Sequence, residues 1–408
     1  MTERVVIIGG GQAASQASVS LRQEGWEGGI VILCEEDYPP YQRPPLSKKF
    51  LEGELEFDRL VLKPEQFYQD HAIELRLGER AASIDKDAKS VLTMSGEKLD
   101  YDKLIIATGT APRKLPIPGA DADGVFYLRS ADDALALKDR LGEGKSIAVI
   151  GAGYIGLEVA ATARKTGANV YIVEAAPRVM SRVAGEFLSS YLQKYHVAKG
   201  AKLLLNAALT HFETEDGKLA ACVFDNGEKI EIDTAVIGIG VAPCVDIAAN
   251  AGIECDNGVK VDEYCRTSAD DVFAAGDCTN HPNAHYDMNL RLESVHNAIE
   301  QGKTTATTIC GKDKPYRQAP WFWSDQYDLK IQSVGVNAGH DEYLVTGNPE
   351  EDSFSVIYFA NQRLIAADCV SRPADYMVVR KLLQGRTPAS LDDVKGAEGD
   401  LKSLMARR

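Results

Sequence analysis

No two of the eight cysteines in this sequence are close enough to form a CxxC pair; they lie at positions 34, 222, 244, 255, 265, 278, 310 and 369. Cysteine-bound iron–sulfur clusters and redox-active disulfides both depend on closely spaced cysteines. We interpret these residues as reduced thiols that serve as small apolar side chains. The sequence therefore indicates neither an iron–sulfur cluster nor a redox disulfide of the chain's own.

Long apolar runs and an excess of positive charge are also missing. Apolar runs extend over only a few residues, so no segment is predicted to span a membrane. A first strand that begins by Arg4 leaves no room for a signal peptide, and we expect a cytoplasmic protein. The net charge of −15 argues against a general nucleic-acid-binding surface, although an acidic partner could still meet a local basic patch.

His281 and His285 are four residues apart, but Pro282 disfavours a helix there, so we predict no metal site.

The first recognisable element is a glycine-rich turn near the start of the chain. An apolar, β-branched run at residues 5–8 stops at Gly9, and a helix-like stretch follows. This pattern predicts a buried parallel strand followed by a helix in a dinucleotide-binding fold. Gly9 permits the tight turn, Gly11 lets the backbone approach a pyrophosphate, and Ala14 stands where a third glycine is usual. We expect the helix to end near Gly25.

The same turn occurs a second time. A buried run at residues 147–150 leads into Gly151, Gly153 and Gly156, with a helix predicted to end near Gly167. Because strand, glycines, helix and second strand all match, the repeat predicts two dinucleotide sites in one chain.

An acidic residue follows the second strand of each repeat, where such a side chain usually hydrogen-bonds a ribose. Glu35 is the candidate in the first repeat, although Glu35, Glu36 and Asp37 could also form only a solvated turn. Glu174 is the candidate in the second, and it would repel a 2′-phosphate, which favours NADH over NADPH. Arg178 and Arg182 lie just downstream and leave NADPH open, because an arginine can hold a 2′-phosphate.

Three further strands end in small residues or in Gly-Asp. Small residues after the first suggest a close approach of the backbone to a ligand, and the aspartate after the third could hydrogen-bond the sugar-alcohol chain of a flavin or belong only to a turn. The first ends at residues 107–109, the second in the segment 235–240, and the third at Gly276 and Asp277. Residues 293–302 read as a helix whose N-terminus could face a flavin carbonyl. His296 in that helix is either a proton donor or, more simply, a hydrogen-bonded histidine at a helix start.

The character of the sequence changes at Ala319. Aromatic residues concentrate at positions 320–327, and strand-like segments follow at 330–335, 353–359 and 363–370, before a basic helix. The 408 residues, 45% apolar and 26% charged, suffice for two or three domains. We predict an α/β fold with two Rossmann-like domains and a C-terminal α+β domain. The predicted boundaries are 1–110 with 245–318 for an FAD-binding domain, 111–244 for an NAD-binding domain, and 319–408 for the third.

Four motifs give the chain a family resemblance: Arg43-Pro44-Pro45-Leu46-Ser47-Lys48, Gly153-Tyr154-Ile155-Gly156-Leu157-Glu158, Ala274-Ala275-Gly276-Asp277-Cys278 and Pro320-Trp321-Phe322-Trp323-Ser324-Asp325-Gln326-Tyr327. Over nearly its whole length the chain resembles flavoproteins of the glutathione reductase fold. Within that fold it is similar to the NADH-dependent ferredoxin reductases of bacterial oxygenase systems, the group of the putidaredoxin, rhodocoxin and biphenyl-dioxygenase reductases.

The resemblance implies two sets of cofactor-binding residues. The FAD set is Gly9, Gly11, Ala14, Glu35, Arg43, Pro45, Lys48, Ala107, Thr108, Gly109, Arg129, Asp277, Val295, His296 and Trp323. The NAD set is Gly151, Gly153, Tyr154, Ile155, Gly156, Glu158, Glu174, Arg182 and Gly240.

The resemblance also implies roles for some of these residues. Asp277 binds the ribitol of FAD, and Tyr154 lies near the stacked nicotinamide. Lys48 lies beside the flavin N5 edge and pairs with Glu158, and these two are the expected catalytic residues. Trp323 lies at the flavin edge that faces the ferredoxin, with Lys303 and Lys330 as docking cations, although tryptophans in such a stretch more often belong to a core.

The implied activity is NADH:ferredoxin oxidoreduction. NADH would give its hydride to flavin N5, and single electrons would pass to a separate 2Fe–2S ferredoxin that feeds a cytochrome P450 or a ring-hydroxylating dioxygenase. Disulfide reductases of this fold carry a cysteine pair beside the flavin, and related peroxidases carry one cysteine, where this chain has Pro44-Pro45-Leu46-Ser47. Two alternatives stay open: an NADH oxidase or diaphorase that uses oxygen or quinone, and a redox-responsive protein of the apoptosis-inducing-factor type. We expect a monomer or weak dimer.

Overall fold

The computed structural model describes residues 3–385 and 389–406. Residues 386–388 and 407–408, which belong to the predicted C-terminal domain, lie outside the described residues. None of the described helices is both long enough and apolar enough to cross a membrane.

The β-strands of the described chain are, in chain order, β1 (Arg4–Ile8), β2 (Gly29–Leu33), β3 (Ile73–Arg76), β4 (Ala81–Asp85), β5 (Ser90–Thr93), β6 (Lys98–Asp100), β7 (Lys103–Ile106), β8 (Thr110–Pro112), β9 (Val125–Phe126), β10 (Ser146–Ile150), β11 (Asn169–Glu174), β12 (Lys202–Leu205), β13 (Leu209–Glu215), β14 (Lys218–Phe224), β15 (Lys229–Glu231), β16 (Thr234–Ile237), β17 (Val241–Pro243), β18 (Val259–Lys260), β19 (Val272–Ala274), β20 (Thr279–Asn283), β21 (Met288–Leu290), β22 (Trp321–Gln326), β23 (Leu329–Gly335), β24 (Glu342–Asn348), β25 (Ser353–Ala360) and β26 (Arg363–Val370).

The α-helices are α1 (Gln12–Glu24), α2 (Glu65–Asp70), α3 (Ala131–Lys138), α4 (Tyr154–Lys165), α5 (Glu186–Ala198), α6 (Asp246–Asn250), α7 (Val295–Ile309), α8 (Pro373–Gln384), α9 (Leu391–Lys395) and α10 (Ser403–Ala406). Short 3-10 helices lie at Pro44–Ser47, Phe57–Arg59 and Pro349–Glu351.

The chain divides into two compact units. Unit 1 comprises Met1–Gln42, Asp58–Ala111 and Ala242–Pro320, and unit 2 comprises Arg43–Phe57, Pro112–Val241 and Trp321–Arg408. Each unit contains one five-stranded parallel sheet, with the order β19-β7-β1-β2-β3 in unit 1 and β12-β11-β10-β16-β9 in unit 2. Unit 2 also contains an antiparallel sheet of order β22-β23-β26-β25-β24. The predicted α/β fold class, with an α+β C-terminal part, is confirmed, and the three domain boundaries stay a prediction.

The core of unit 1 explains why its first strand is apolar throughout. Val5 and Ile7 pack into a cluster with α1 and α7 on one face of the sheet. Val6 and Ile8 pack on the other face, with residues of β4, β5 and β6. A strand that is covered on both faces needs apolar residues at every position rather than at alternate ones.

The parallel sheet of unit 2 has the same two-sided burial, with different covers. Ile147 and Val149 belong to a cluster that continues through α4 and α5 into the antiparallel sheet, where it includes Phe354 and Tyr358. Ala148 and Ile150 pack instead against strands β13, β14 and β15. The parallel and antiparallel sheets of unit 2 therefore share one hydrophobic core, which accounts for their place in a single unit.

His281 on β20 is a buried histidine that should make folding sensitive to acid. Neither ring nitrogen has a hydrogen-bond partner among the described residues, and burial lowers its pKa to about 4. Between pH 6.5 and 4 the unfolded chain therefore binds a proton that the folded chain does not. Stability should fall as the pH drops through this window, and this group alone would account for about 3 kcal/mol.

We predict that His281→Phe reduces this acid sensitivity, because the phenyl ring has a similar shape and no proton to take up. The apparent unfolding temperature of both proteins should be similar at pH 7.5, and that of the variant should decrease less at pH 4.5. Differential scanning fluorimetry at both pH values measures this. An equal decrease in the two proteins would contradict the role given to His281.

Candidate active site

The first glycine-rich turn has the geometry that a dinucleotide needs. Gly9 has a φ of +119°, and a Cβ on it would lie 2.2 Å from the carbonyl oxygen of Ala107. Gly11 is the N-cap of α1, and a Cβ there would meet no atom within 4 Å. Ala14 is fully buried on α1. Gly9 is thus required by the protein itself, whereas Gly11 borders the free space in front of a helix N-terminus, where a phosphate binds well.

The other predicted FAD residues of unit 1 surround the same end of the sheet. Ala107, Thr108 and Gly109 follow β7, and a Cβ on Gly9 would lie 3.3 Å from the backbone nitrogen of Thr108. A Cβ on Gly276, the residue before Asp277, would lie 3.1 Å from Cβ of Ala13 on α1 and 3.8 Å from Cβ of Ala298 on α7.

Helix α7 begins at Val295, followed by the buried His296, and is capped by the Ser294 hydroxyl, which accepts from the backbone N–H of Asn297 at 3.1 Å. The helix predicted over residues 293–302 is therefore present, and two helix N-termini lie at the ends of these strands.

Glu35 lies just beyond β2 and forms an ion pair with Arg80, with 3.1 Å between Oε1 and the guanidinium nitrogen. Both side chains are about two-thirds exposed, at 66% and 65%. An ion pair this exposed contributes little free energy, so Glu35 stays available for a ribose. Its role is still a prediction, and Arg80 had no signal in the sequence.

The second turn repeats the first with one difference. Gly151 has a φ of +99°, and a Cβ there would lie 2.5 Å from the carbonyl oxygen of Gly238. Gly153, the N-cap of α4, again has no atom within 4 Å of a Cβ position. A Cβ on Gly156 would lie 2.1 Å from the carbonyl oxygen of Gly151, so alanine is excluded here, although Ala14 takes the matching place in the first turn.

Glu174 at the end of β11 is held beside this second turn. Its Oε2 accepts from the backbone N–H of Ala152 at 2.8 Å and its Oε1 from that of Ala176 at 2.9 Å. Arg178 donates to the carbonyl oxygens of Ala184 and Ser181, at 2.8 Å and 3.0 Å. A fixed carboxylate at this strand end favours a ribose with a free 2′-hydroxyl.

Arg182, the second arginine that had left NADPH open, lies against the backbone near the end of β16. A Cβ on Gly240, which has a φ of +98°, would lie 2.9 Å from the Arg182 guanidinium. The structure thus brings Gly240 and Arg182 together. Tyr154 and Ile155 occupy the first turn of α4, and Ile155 is 44% exposed.

Glu158 and Lys48 form the ion pair that the resemblance implied, and this expectation is confirmed. Lys48 Nζ lies 2.8 Å from Glu158 Oε2, and Glu158 is buried. The Ser47 hydroxyl donates to the same oxygen at 2.5 Å, and the Ser324 hydroxyl on β22 donates to Oε1 at 2.6 Å. Ser47 is the last residue of the 3-10 helix at Pro44–Ser47, and its hydroxyl bonds Glu158 rather than a helix N-terminus.

The electrostatics of Glu158 follow from these contacts. Burial raises the pKa of its carboxyl group, and the Lys48 ammonium together with the hydroxyl donors Ser324 and Ser47 opposes that rise. A buried carboxylate of this kind needs every one of its hydrogen bonds. The site therefore holds a positive charge, Lys48, at a defined position, with 13% of its side chain exposed.

The remaining predicted residues also lie in unit 2. Arg43 precedes the 3-10 helix and donates to the carbonyl oxygen of Arg129 at 2.8 Å, and Pro45 is part of that helix. Trp323 lies on β22, where its ring is 5.5 Å from that of Trp321, between ring centroids. Within residues 3–385 and 389–406, no three His, Cys, Asp or Glu side chains are grouped so as to hold a metal ion.

Comparison with known proteins identifies the family. Residues 3–302 match the family described as pyridine nucleotide-disulphide oxidoreductase. The chain belongs to this family. Residues 321–405 also match the domain family described as reductase C-terminal. The two parallel sheets of this oxidoreductase fall in the first match, and the antiparallel sheet with α8 falls in the second.

Similar proteins cover nearly the whole chain. Rhodocoxin reductase of Rhodococcus erythropolis is 41% identical over 403 residues, 99% of this chain and 94% of that protein. The ferredoxin reductase of the CYP199A2 system from Rhodopseudomonas palustris has a TM-score of 0.95 at 39% identity, covering 98% and 99% of the two chains. The reductase in the covalent putidaredoxin reductase–putidaredoxin complex has a TM-score of 0.96 at 34% identity, covering 99% and 98%.

We predict that alanine affects different properties at Gly153 and Gly156, the second and third glycines of the second glycine-rich turn, which we call the NAD-type turn. Gly153→Ala should keep the unfolding temperature, because its Cβ enters free space, but should weaken NADH binding about ten-fold or more by occupying the space of the pyrophosphate. Gly156→Ala should lower the free energy of unfolding by about 1–3 kcal/mol, because its Cβ meets a backbone oxygen.

Thermal unfolding and calorimetric titration with NADH separate the two effects. Each variant serves as the control for the other. Loss of stability in Gly153→Ala, with NADH affinity unchanged, would show that this glycine is required for packing rather than for the nucleotide.

Proposed function

We propose that this chain is an FAD-dependent NADH:ferredoxin oxidoreductase that takes a hydride from NADH and passes single electrons to a separate ferredoxin. The observation that carries the proposal is the doubled dinucleotide turn, with free space at Gly11 and again at Gly153. Two such turns in one chain would hold a flavin dinucleotide and a pyridine nucleotide in the same protein. The similar proteins named for rhodocoxin, putidaredoxin and ferredoxin support the choice of acceptor.

The residues of the first turn fit FAD. Gly9 and Gly11 with the N-terminus of α1 would hold the pyrophosphate, Glu35 the adenosine ribose, and Asp277 the ribitol. Arg43, Pro45, Lys48, Arg129, Val295, His296 and Trp323 complete the proposed set. Bound FAD supplies the hydride acceptor and one-electron donor that the side chains themselves lack.

The residues of the second turn fit NADH. Gly151 and Gly153 would admit its pyrophosphate, and Glu174 would accept a hydrogen bond from the ribose 2′-hydroxyl. The carboxylate of Glu174 and the occupied guanidinium of Arg178 favour NADH over NADPH. Tyr154 and Ile155, in the first turn of α4, would lie on the nicotinamide side.

Lys48 and Glu158 would act by placing charge. Lys48 provides a fixed positive charge for the negative charge that arrives with the hydride, and Glu158 holds the ammonium group in place. Neither residue transfers the hydride. The segment at Pro44–Ser47 contains a hydroxyl in place of a thiol, so this segment offers no covalent route for the electrons and they pass to an outside acceptor.

Finer features of the proposal rest on the family resemblance. The ferredoxin would be of the 2Fe–2S type and would feed a cytochrome P450 or a ring-hydroxylating dioxygenase. It would dock near Trp323, with Lys303 and Lys330 as cations. The reductase would be a monomer or weak dimer that binds no nucleic acid.

We also propose the three domains 1–110 with 245–318, 111–244 and 319–408. The proposed location is cytoplasmic, where the eight free cysteines would stay reduced.

We predict that Lys48→Met slows flavin reduction by NADH about a hundred-fold, because the compensating charge is lost. Stopped-flow absorbance under anaerobic conditions measures the rate, with FAD content and circular dichroism as checks of folding. Lys49→Met is the matched control, since Lys49 is a neighbour with the same charge. A wild-type rate in Lys48→Met would be incompatible with the role given to Lys48.

The acceptor is tested by cytochrome c reduction with NADH, with and without a panel of 2Fe–2S ferredoxins. We expect the rate to depend strongly on at least one ferredoxin. No dependence on any member of the panel would overturn the proposed function. Steady NADH consumption in air without ferredoxin would then indicate an oxidase or diaphorase, and a long-lived reduced complex with NAD would indicate a redox-responsive protein.

A further inference from the structure

Asp368 on β26 is a second buried carboxylate of unit 2, and both of its oxygens are engaged. The Ser333 hydroxyl on β23 donates to Oδ1 at 2.6 Å, and the Tyr358 hydroxyl on β25 donates to Oδ2 at 2.7 Å. The side chain is 3% exposed. Hydrogen bonds to a charged acceptor are stronger than neutral ones, so Asp368 holds two hydroxyl groups in defined positions.

The first of these hydroxyls leads to the NAD-type turn. Tyr154 Oη lies 3.3 Å from Ser333 Oγ. Because the single hydroxyl hydrogen of Ser333 is donated to Asp368, Tyr154 must be the donor in this contact. Tyr154 is the first residue of α4, next to Gly153, and its ring packs on that of Phe322 with 4.5 Å between centroids. The hydroxyl chain and the ring contact together fix the orientation of the Tyr154 side chain.

The second hydroxyl leads to the loop on the other side of the same turn. The Tyr358 hydroxyl packs against Gly185, so that a Cβ on Gly185 would lie 2.7 Å from the hydroxyl oxygen. This loop, residues 175–185, also carries Met180, whose backbone N–H donates to the carbonyl oxygen of Ala152 at 2.8 Å. Asp368 therefore reaches two segments that border the second glycine-rich turn.

We propose that Asp368 is a positioning residue for the nicotinamide nucleotide. From the C-terminal sheet it fixes Tyr154 through Ser333, and it fixes the 175–185 loop through Tyr358. The inference rests on the proposed function, since it takes the second turn as the NADH site. Asp368 touches neither Tyr154 nor the turn directly, and its effect passes through the two hydroxyl groups.

Asp375 on α8 provides a matched comparison. It is also buried in the C-terminal part of unit 2, and its Oδ2 accepts from the Ser355 hydroxyl at 2.8 Å and from Arg372 at 2.5 Å. No hydrogen bond of the described residues connects it to Tyr154. Asp375→Asn therefore removes a similar buried charge without disturbing the NAD-type turn.

The test compares Asp368→Asn, Ser333→Ala and Asp375→Asn in the FAD-loaded protein. Asp368→Asn replaces one carboxylate oxygen by an amide nitrogen, which cannot accept a hydroxyl hydrogen bond, so at least one of the two connections is lost. We expect Asp368→Asn and Ser333→Ala to raise the NADH dissociation constant about ten-fold, as for loss of one hydrogen bond to a charged group. Asp375→Asn should leave that constant unchanged while lowering the unfolding temperature.

Calorimetric titration gives the dissociation constant, and stopped-flow reduction at increasing NADH separates the half-saturating concentration from the limiting rate. If Ser333 acts through the Tyr154 hydroxyl, Tyr154→Phe combined with Ser333→Ala should bind NADH no more weakly than either single variant. Equal NADH affinity in Asp368→Asn and Asp375→Asn would overturn the proposal.

Two further results separate this proposal from its premises. If Asp368→Asn does not fold, unchanged affinity in Ser333→Ala overturns it on its own, and a ten-fold loss there supports it. Because NADH binding is the readout, the outcome does not depend on any electron acceptor. A wild-type protein that binds NADH but reduces no ferredoxin would contradict the proposed function alone.

Discussion

The buried carboxylate of Glu158 is the constraint on which the arrangement of unit 2 depends. A charge removed from water is costly unless partners replace the lost hydration, so each group that surrounds Glu158 must be brought to it by the fold. Those groups come from segments far apart in the sequence: Lys48 and Ser47 from the 3-10 helix region, and Ser324 from β22. This requirement explains why residues 43–57 belong with unit 2 although the chain before and after them belongs to unit 1.

The same carboxylate connects α4 and the 3-10 helix region to the C-terminal sheet. Ser324 accepts a hydrogen bond from Gln326, which in turn accepts one from His196 on α5, so the polar contacts of Glu158 continue through β22. Asp368 forms a second polar connection from that sheet toward the NAD-type turn. The hydrophobic core shared by the two sheets holds both connections in place, because a close-packed interior has low compressibility.

The two glycine-rich turns show how one motif serves two cofactors. Gly9 and Gly151 are required by the protein, because a Cβ on either would collide with a backbone oxygen. Gly11 and Gly153 are required only if a ligand comes close. The acidic residues differ more: Glu174 is fixed by two backbone N–H groups, whereas Glu35 forms an exposed ion pair with Arg80. The carboxylate beside the second turn is thus held more firmly than the one that follows β2.

The sequence by itself determined the strands, the two glycine-rich turns and the candidates for the site residues. The β-branched runs at residues 5–8 and 147–150, the glycines after them, and the alternating strands after Ala319 depend on local chemistry, and local chemistry can be read along a chain. The resemblance of four short motifs added the pairing of Lys48 with Glu158, and the structure contains that ion pair.

Only the tertiary structure decided which polar groups complete these sites. Ser47 belongs to a proline-rich motif and Ser324 to an aromatic stretch, but both hydroxyls bond Glu158, which is 111 and 166 positions away. Arg178 lies where an arginine could hold a 2′-phosphate, but in the fold its guanidinium donates to two loop carbonyls, and Asp368 has no signal in the sequence. Such contacts join residues that no periodicity relates, and a buried charge selects its partners by position in space rather than by position in the chain.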